Sequence, residues 1–325
     1  MCSLDRKIAQ RSGFYFSLLV FILFPGCQKG TGTLERTMAV INGQKFELIT
    51  TYALFENFLT RQGNSDDAVN SNQYIYEPIQ HEILQNAEAP FMFETIHIPY
   101  RQDSLLKQEI ALLRSADITS IIKKALGTIT SKLPGPDTKI IIMPANSVMH
   151  EIFLKYGVCI NAVTLGSGKI IIQIDPTFPQ WQETLPYIVA HEYHHSTWIS
   201  RNWKSADFSV LEYLVFEGRA DAFATTLYSH IKNPWTMMVP KAQEQAVWNI
   251  IKPELLQHGH ERINRVMAGD KDIPMGSGYT LGFHIVQSFK QHHTEYTDKE
   301  IIDLEPEKLL ALSSYTGLFE QKISR

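Results

Sequence analysis

Apolar residues recur at helical spacing in residues 102–132, and this is the clearest periodic stretch of the chain. Apolar positions three and four residues apart line one face of a helix, so the pattern predicts one or two amphipathic helices there. The LPGP segment at 133–136 ends the stretch, because proline and glycine break the helical pattern. A weaker helical pattern covers residues 74–86, whereas the polar residues 61–72 predict a loop and the NG pair at 42–43 predicts a turn.

Three short apolar runs after this region predict strands. Residues 139–143 lie between two prolines, and residues 158–164 and 169–175 are rich in β-branched side chains. The LGSG segment at 165–168 joins the last two runs, so we predict that they pair as a hairpin.

From residue 176 onward the pattern becomes helical. We predict four helices, at about 184–200, 208–231, 254–267 and 279–292. Asp207 is the predicted N-cap of the second helix, and Asn233-Pro234 follows its end. Helices, then a small mixed sheet with a hairpin, then a mainly helical C-terminal part predict an α+β, zincin-like fold.

The N-terminal residues predict an export signal of the lipoprotein type. Three cations precede an apolar run at 13–24, which is shorter than the roughly twenty residues of a membrane span. The run leads into LFPGC, which resembles a bacterial lipobox, so Cys27 is the predicted lipidation site and residues 1–27 the signal peptide. The alternative is an uncleaved membrane anchor with an incidental cysteine. Either alternative puts the rest of the chain outside the cytoplasm, tethered to the bacterial cell membrane.

Composition and charge add mainly the exclusion of some classes of protein. The 325 residues are 44% hydrophobic and 20% charged, which is ordinary globular composition. The net charge is −4 and no basic run stands out, so we predict no nucleic-acid partner. Three scattered cysteines make no disulfide framework, and Cys159, in an apolar run, is the predicted buried thiol.

The HEYHH segment at 191–195 carries the candidate chemistry. His191 and His195 are four residues apart, which puts both imidazoles on one helical face, where they can hold one metal ion. Hydrolytic zinc takes a third protein ligand and keeps a position open for water. Glu217, on the next predicted helix, is the candidate third ligand. Asp221, one turn further on the same face, would hold a zinc-bound histidine in the correct tautomer. We therefore predict one Zn²⁺ ion.

The spacing also selects the class of zinc protein. A metzincin has glycine and histidine at the positions of Trp198 and Arg201, so that class is excluded. The HExxH…ExxxD pattern is similar to the glutamate-ligand zincins, or gluzincins, of which thermolysin is the familiar member. Asn161-Ala162 resembles the thermolysin edge strand that pairs with the substrate backbone, whereas the GxMEN segment of thermolysin-like aminopeptidases is absent from the sequence. Gly218 predicts a close approach between helices.

Three sequence blocks carry a closer resemblance: VAHEYHH at 189–195, EGRAD at 217–221 and GYTLG at 278–282. They resemble a bacterial family of predicted zinc-dependent proteases, and the resemblance covers about residues 100–315. It implies a gluzincin-type fold and peptidase chemistry on peptide or protein substrates. Residues 101–325 are therefore the predicted peptidase domain, and residues 28–100 form an N-terminal region without a recognisable motif.

Glu192 is the predicted general base, which takes a proton from the attacking water and passes it to the leaving amine. The reaction also needs a hydrogen-bond donor for the oxyanion. Tyr279, which follows a GSG segment, is the first candidate, and His284, about one turn further, is the second. The alternative for both residues is packing. Arg219 ranks lower because it points elsewhere on the helix, and His194 lies off the ligand face.

Two other functions stay open from the sequence. One is a zinc-containing binding or chaperone lipoprotein without turnover. Glu192 argues against it, because a structural zinc site needs no base and prefers four protein ligands. The other is an assembly or sensing lipoprotein that works through residues 28–100. The sequence predicts neither the oligomeric state nor the cleavage preference.

Overall fold

A five-stranded mixed sheet organises the fold in the computed structural model, which describes residues 34–60, 67–313 and 315. The strands are β1 (Glu35–Ile41), β2 (Gln44–Thr50), β3 (Thr138–Pro144), β4 (Ile160–Gly166) and β5 (Lys169–Ile174). Their order across the sheet is β1-β2-β3-β5-β4. Strands β2, β3 and β5 run parallel, and the antiparallel strands β1 and β4 form the two edges.

Helices surround the sheet and form most of the C-terminal part. Before the last two strands lie α1 (Tyr52–Thr60), α2 (Asp67–Ser71), α3 (Glu77–Ile83), α4 (Ser104–Ser115), α5 (Ile118–Lys132) and α6 (Ser147–Tyr156). After them lie α7 (Trp181–Asn202), α8 (Val210–Leu227), α9 (Glu244–Ile251), α10 (His260–Ala268), α11 (Ser277–His292), α12 (Asp298–Ile301) and α13 (Pro306–Leu312). A 3₁₀ segment, Pro90–Thr95, packs beside β4 and is called the 90–95 turn. The α+β class predicted from the sequence is confirmed.

The strand patterns explain the sheet. The hairpin predicted from two β-branched runs is confirmed as the antiparallel pair β4–β5. The central strands β3 and β5 contain the isoleucine runs 140–142 and 170–172, which are fully buried, as expected for strands covered on both faces. Asn42 and Gly43 have φ values of 50° and 84°, which suit a tight two-residue turn, so the turn predicted between β1 and β2 is confirmed.

One hydrophobic core lies between the sheet and the helices, and it draws on both sides of position 100. Phe46 of β2 and Tyr193 of α7 belong to it together. A second cluster packs α8, α9 and α11 against one another through residues such as Trp248. Strands β1 and β2, which lie within residues 28–100, therefore share a sheet and a core with residues 101–325. A separate role for the N-terminal region stays a prediction.

The predicted N-cap of α8 and the predicted loop at 61–72 are wrong. Ser209, not Asp207, caps α8: its hydroxyl accepts a hydrogen bond from the Glu212 amide at 3.2 Å, and the Glu212 carboxylate accepts one from the Ser209 amide at 2.6 Å. This reciprocal pairing satisfies two amide groups at once, which explains the choice of Ser209 over a residue two positions earlier. Residues 61–72 are not wholly a loop, because α2 begins at Asp67.

The predicted signal peptide, with Cys27, lies outside the described residues. Within the residues that are described, no helix has both the length and the apolar character needed to cross a membrane. The lipid anchor therefore stays a prediction from the sequence.

Candidate metal centre

Two packed helices bring the three predicted metal ligands together. His191 and His195 lie one turn apart on α7, and Glu217 lies on α8. The Nε2 atoms of the two histidines are 2.9 Å apart. Glu217 Oε2 lies 3.4 Å from His191 Nε2 and 3.3 Å from His195 Nε2. The two imidazoles leave α7 on the same side because four residues make about one helical turn.

These separations fit a tetrahedral zinc ion. Zinc binds histidine nitrogen and carboxylate oxygen at about 2.0–2.1 Å, so two ligand atoms of a tetrahedral site lie roughly 3.3 Å apart. The three separations of 2.9, 3.3 and 3.4 Å are close to that value. Two histidines with one glutamate are also a known ligand set of hydrolytic zinc, so these residues fit the ion in both geometry and chemistry.

Asp221 orients His191 from behind. Its Oδ1 lies 3.1 Å from His191 Nδ1, and it accepts hydrogen bonds from the Tyr187 hydroxyl at 2.8 Å and the Asn233 amide at 2.9 Å. A carboxylate at Nδ1 holds the imidazole proton there and leaves the Nε2 lone pair for a metal. The sequence predicted Asp221 but missed its two other partners. Helical spacing could have indicated Tyr187, since it stands one turn before His191, whereas no sequence pattern indicates Asn233.

Electrostatics keep the candidate ligand Glu217 ionised. Burial by itself raises the pKa of this carboxyl, but the nearby charge of His195 and hydrogen bonds from both histidines outweigh it and lower the pKa to about 2. Phe216 stacks on the His195 ring at a centroid distance of 4.0 Å and shields it from water. A carboxylate beside two imidazoles favours a divalent cation.

Glu192 lines the same cleft as the three ligands. Its Oε2 accepts a hydrogen bond of 2.7 Å from the hydroxyl of Thr164 on β4, and that hydroxyl also lies 2.9 Å from the Glu192 carbonyl oxygen. Thr164 therefore holds the carboxylate between the edge strand and the metal centre. No sequence pattern indicated Thr164, because the contact joins two elements that only the fold brings together.

Two tyrosines line the cleft beside the ligands. Tyr279, the predicted oxyanion donor, packs against Trp235 with ring centroids 5.7 Å apart. Tyr213 was not predicted from the sequence. It stands one turn before Glu217 on α8, and this spacing alone could have indicated that it shares the face of that candidate ligand. Burial first, and then the Glu217 carboxylate, raise the pKa of both hydroxyls well above the ordinary tyrosine value, so each remains a hydrogen-bond donor.

His284, the second predicted oxyanion donor, is not among the described residues that line the cleft. Its Nδ1 lies 3.2 Å from a carboxylate oxygen of Glu244 on α9. The reason is helical rotation: five residues after Tyr279, a side chain points about 140° away around the helix. The structure thus gives His284 a partner in the C-terminal helices and corrects the prediction that it serves the site.

The two lower-ranked residues are packing groups. Arg219 is buried and donates a hydrogen bond to the Leu304 carbonyl oxygen. His194 is buried against Phe223, at a ring distance of 5.6 Å, and burial lowers its pKa well below the ordinary histidine value. Both side chains leave their helices away from the ligand face, as the sequence predicted.

Glycines bring α8 and α11 into contact behind Glu217. A Cβ atom at Gly218 would lie 2.1 Å from the carbonyl oxygen of Gly282, and one at Gly282 would lie 2.0 Å from the Leu214 carbonyl oxygen. Neither position has room for a larger residue. The close helix approach predicted from Gly218 is confirmed, and Gly282 is its partner.

Residues 118–311 match the model of a family described as a predicted Zn-dependent protease (DUF2268). The chain belongs to this family. It is 32% identical over 148 residues to the uncharacterized protein YjfC of Bacillus subtilis, a match covering 42% of this chain and 48% of YjfC. It is 22% identical over 186 residues to the uncharacterized protein YjaZ of the same organism, covering 56% of this chain and 70% of YjaZ. The chain thus spans about half the length of YjfC.

One solved structure was also found to be similar to this member of the predicted Zn-dependent protease family. It is an aminopeptidase N family protein from Idiomarina loihiensis, with 10% sequence identity and a TM-score of 0.42. The match covers 90% of this chain and 42% of that protein. The family resemblance stated from the sequence is confirmed by the family model, whereas the catalytic roles of individual residues stay predictions.

The cleft of this family member is built only partly from the matched region. Residues 160–164 of β4 and the ligand helices lie inside it, but Phe91 and Met92 of the 90–95 turn also line the cleft and lie outside it. The N-terminal region therefore contributes directly to the surroundings of the metal centre.

Proposed function

We propose that the chain is a zinc metallopeptidase that hydrolyses peptide bonds in peptides or proteins. The observation that carries the proposal is the near-tetrahedral spacing of His191, His195 and Glu217 beside a further carboxylate, Glu192. Three protein ligands leave one position open, which is the arrangement of catalytic rather than structural zinc. Membership of a family described as predicted Zn-dependent proteases supports the same reaction.

Zinc held by the three ligands would supply a Lewis acid that polarises the scissile carbonyl and makes water acidic near neutral pH. Glu192 acts as the general base, taking a proton from the attacking water and delivering it to the leaving amine. Thr164 keeps that carboxylate in place through its 2.7 Å hydrogen bond. Tyr279 and Tyr213 are the candidate donors to the oxyanion of the tetrahedral intermediate, because both line the cleft.

The edge strand β4 supports the binding of an extended peptide. The Cys159 carbonyl oxygen accepts a hydrogen bond from the Asp175 amide at 2.9 Å, and in an antiparallel pair this orientation repeats every second residue. Asn161 therefore directs its backbone groups toward β5, whereas those of Ala162 point away from β5, and Ala162 also lines the cleft. A substrate backbone can add to this edge as a further strand.

The proposal includes an exported location, with the protein anchored to the bacterial cell membrane through a lipid on Cys27. The apolar run at 13–24 and the LFPGC segment support it. We expect Cys27→Ser to abolish labelling by a fatty-acid analogue and to release the protein from the membrane fraction, while Cys2→Ser changes neither. Undiminished labelling of the Cys27→Ser protein would contradict the anchor.

Cleavage of a mixed peptide library, read by mass spectrometry, tests the proposed reaction. We expect the zinc-loaded wild type to cleave and Glu192→Gln to keep zinc but lose about a hundredfold or more in rate, because general-base catalysis contributes that much. Glu183→Gln, an exposed glutamate on the same helix, is the matched control.

Two results would reject parts of the proposal. Bound zinc without any Glu192-dependent cleavage favours the alternative function, a zinc-containing binding or chaperone lipoprotein without turnover. Elemental analysis after zinc loading tests the metal centre itself. If neither the wild type nor His191→Ala contains zinc, the proposed zinc site is rejected.

A further inference from the structure

An apolar wall extends the cleft beyond His195. Ile199 follows His195 by one turn on α7 and lines the cleft. A series of rings continues the wall, with centroid distances of 4.0 Å from His195 to Phe216, 5.7 Å from Phe216 to Phe208 and 5.9 Å from Phe208 to Trp203. Contacting rings thus run without interruption from a candidate metal ligand to the far end of the cleft.

A further part of the cleft lining comes from segments distant in sequence. Phe91 and Met92 of the 90–95 turn line the cleft there, and the Phe91 ring meets the imidazole of His260 on α10 at a centroid distance of 6.0 Å. The start of the turn is tied to the sheet, because the Ala89 amide donates a 2.9 Å hydrogen bond to the Leu165 carbonyl oxygen of β4. This part of the lining is therefore supported by the same strand that supports the peptide-binding edge.

The chemistry of this end of the cleft is apolar. Phe91, Met92, Trp203 and Phe208 are all half-buried, so each keeps surface that a ligand can cover. Among the described residues that line the cleft there is no lysine or arginine, and every carboxylate belongs to the metal centre. Covering concave apolar surface is favourable, whereas a charged side chain would lose hydration against these four apolar groups.

We propose that this end of the cleft is a specificity subsite for a large apolar side chain of the substrate, aromatic or branched aliphatic, and that Phe91 is a specificity-determining residue. The inference rests on the proposed peptidase function and adds the substrate class. Phe91 lies outside the residues 118–311 matched by the family model, so the proposed subsite includes a segment from outside the matched region.

Selectivity among matched peptides tests the subsite. The peptides carry an acetyl and an amide group at their ends and differ only at one position beside the cleaved bond, which holds alanine, leucine, phenylalanine or glutamate. We expect the wild type to prefer leucine and phenylalanine over alanine and glutamate by about tenfold or more in kcat/KM. Phe91→Ala should reduce the ratio of leucine to alanine about tenfold, and Phe91→Trp should narrow the subsite and shift the preference to smaller side chains.

The matched control is Phe178→Ala. Phe178 is also a half-buried aromatic residue, but it contacts His150 and Phe153 and does not line the cleft. Removing the Phe178 ring should leave the ratio of kcat/KM between the leucine and alanine peptides unchanged, even if it lowers the stability of the protein. A ratio of rates separates selectivity from a general loss of folded enzyme, which would affect all peptides alike.

The outcomes distinguish this inference from the function on which it rests. Glu192-dependent cleavage without an apolar preference, or with a preference that Phe91 substitutions leave unchanged, would overturn the subsite and leave the peptidase intact. Peptide binding to the Glu192→Gln protein, followed by tryptophan fluorescence, gives a second readout that needs no turnover. About tenfold tighter binding of the phenylalanine peptide, lost in Phe91→Ala, supports the subsite even if nothing is cleaved, whereas equal binding of all peptides rejects it.

Discussion

Asp221 ties the metal centre to the fold through a single carboxylate oxygen. That oxygen is within hydrogen-bonding distance of His191, Tyr187 and Asn233, which come from α7 and from the segment after α8. A buried carboxylate oxygen is costly unless hydrogen bonds compensate for lost water, and three neighbouring donors do so at Oδ1. The same contacts restrict the rotation of the His191 ring, so ligand geometry depends on a residue that does not itself reach the candidate metal position.

We expect Asp221→Asn to lower zinc affinity by about 10- to 100-fold, because an uncharged amide no longer fixes the tautomer of His191 or raises its basicity. Competition with a chromophoric chelator measures the change. Asp272→Asn removes the same charge at an exposed position and serves as the control. Equal zinc affinity of the two variants would mean that Asp221 has no role in orienting the ligand.

At the scale of elements, α8 performs two tasks on different faces. One face carries Glu217 toward α7, and the other packs against α11 through Gly218 and Gly282. The two tasks are coupled, because the close approach behind the helix determines where its front face lies. The ligand is therefore positioned by backbone packing as well as by its own side-chain contacts.

Gly218→Ala tests this coupling. A Cβ atom 2.1 Å from the Gly282 carbonyl oxygen forces the helices apart, so we expect a loss of about 2 kcal/mol in the free energy of unfolding and a Tm lower by several degrees. Zinc affinity should fall as well, since Glu217 moves with α8. Gly127→Ala is the control: it lies within α5 with open space around its Cβ position, and it should stabilise the protein by about 0.5–1 kcal/mol. Similar thermal melts for both variants would contradict the proposed packing.

At the scale of the whole molecule, the core contains a buried carboxyl group that the proposed chemistry does not use. Glu109 on α4 is fully buried, and neither carboxylate oxygen has a hydrogen-bond partner. Burial first, and then the charges of Asp175 and Asp103, raise its pKa from 4.5 to about 10. The folded protein therefore keeps a proton on Glu109 that the unfolded chain releases at neutral pH.

This difference makes stability depend on pH. Above pH 4.5 the unfolded chain loses the proton first, so the Glu109 contribution disfavours folding increasingly until the pH reaches about 10. The titration of Glu109 lowers the free energy of unfolding by up to about 1.4 kcal/mol per pH unit, and we expect Glu109→Gln to remove this slope. The variant should therefore become more stable relative to the wild type as pH rises. Urea unfolding at pH 5.5, 7 and 8.5 measures it, and a constant difference between the two proteins would show that Glu109 does not titrate as described.

The sequence predicted the parts of the site that lie within single helices. His191 with His195, and Glu217 with Asp221, are each four residues apart, and helical geometry alone puts each pair on one face. The need of zinc for a third protein ligand then supplied the expectation that the two pairs meet. Thr164 and Asn233 could not be predicted in this way, because their contacts join separate elements. His284 shows the same limit, since its position on α11 suggested the cleft but helical rotation brings it to Glu244.

The sequence by itself determined the α+β class, the candidate metal-binding pattern, the hairpin and the glycine that permits close helix packing, because these depend on local periodicity and on residue chemistry. Only the tertiary structure decided which groups hold Glu192 and Asp221 in place, and that the 90–95 turn forms a wall of the cleft. It also decided that Glu109 is sealed in the core. Such features arise from contacts between residues far apart in the chain, and no spacing along the sequence encodes them.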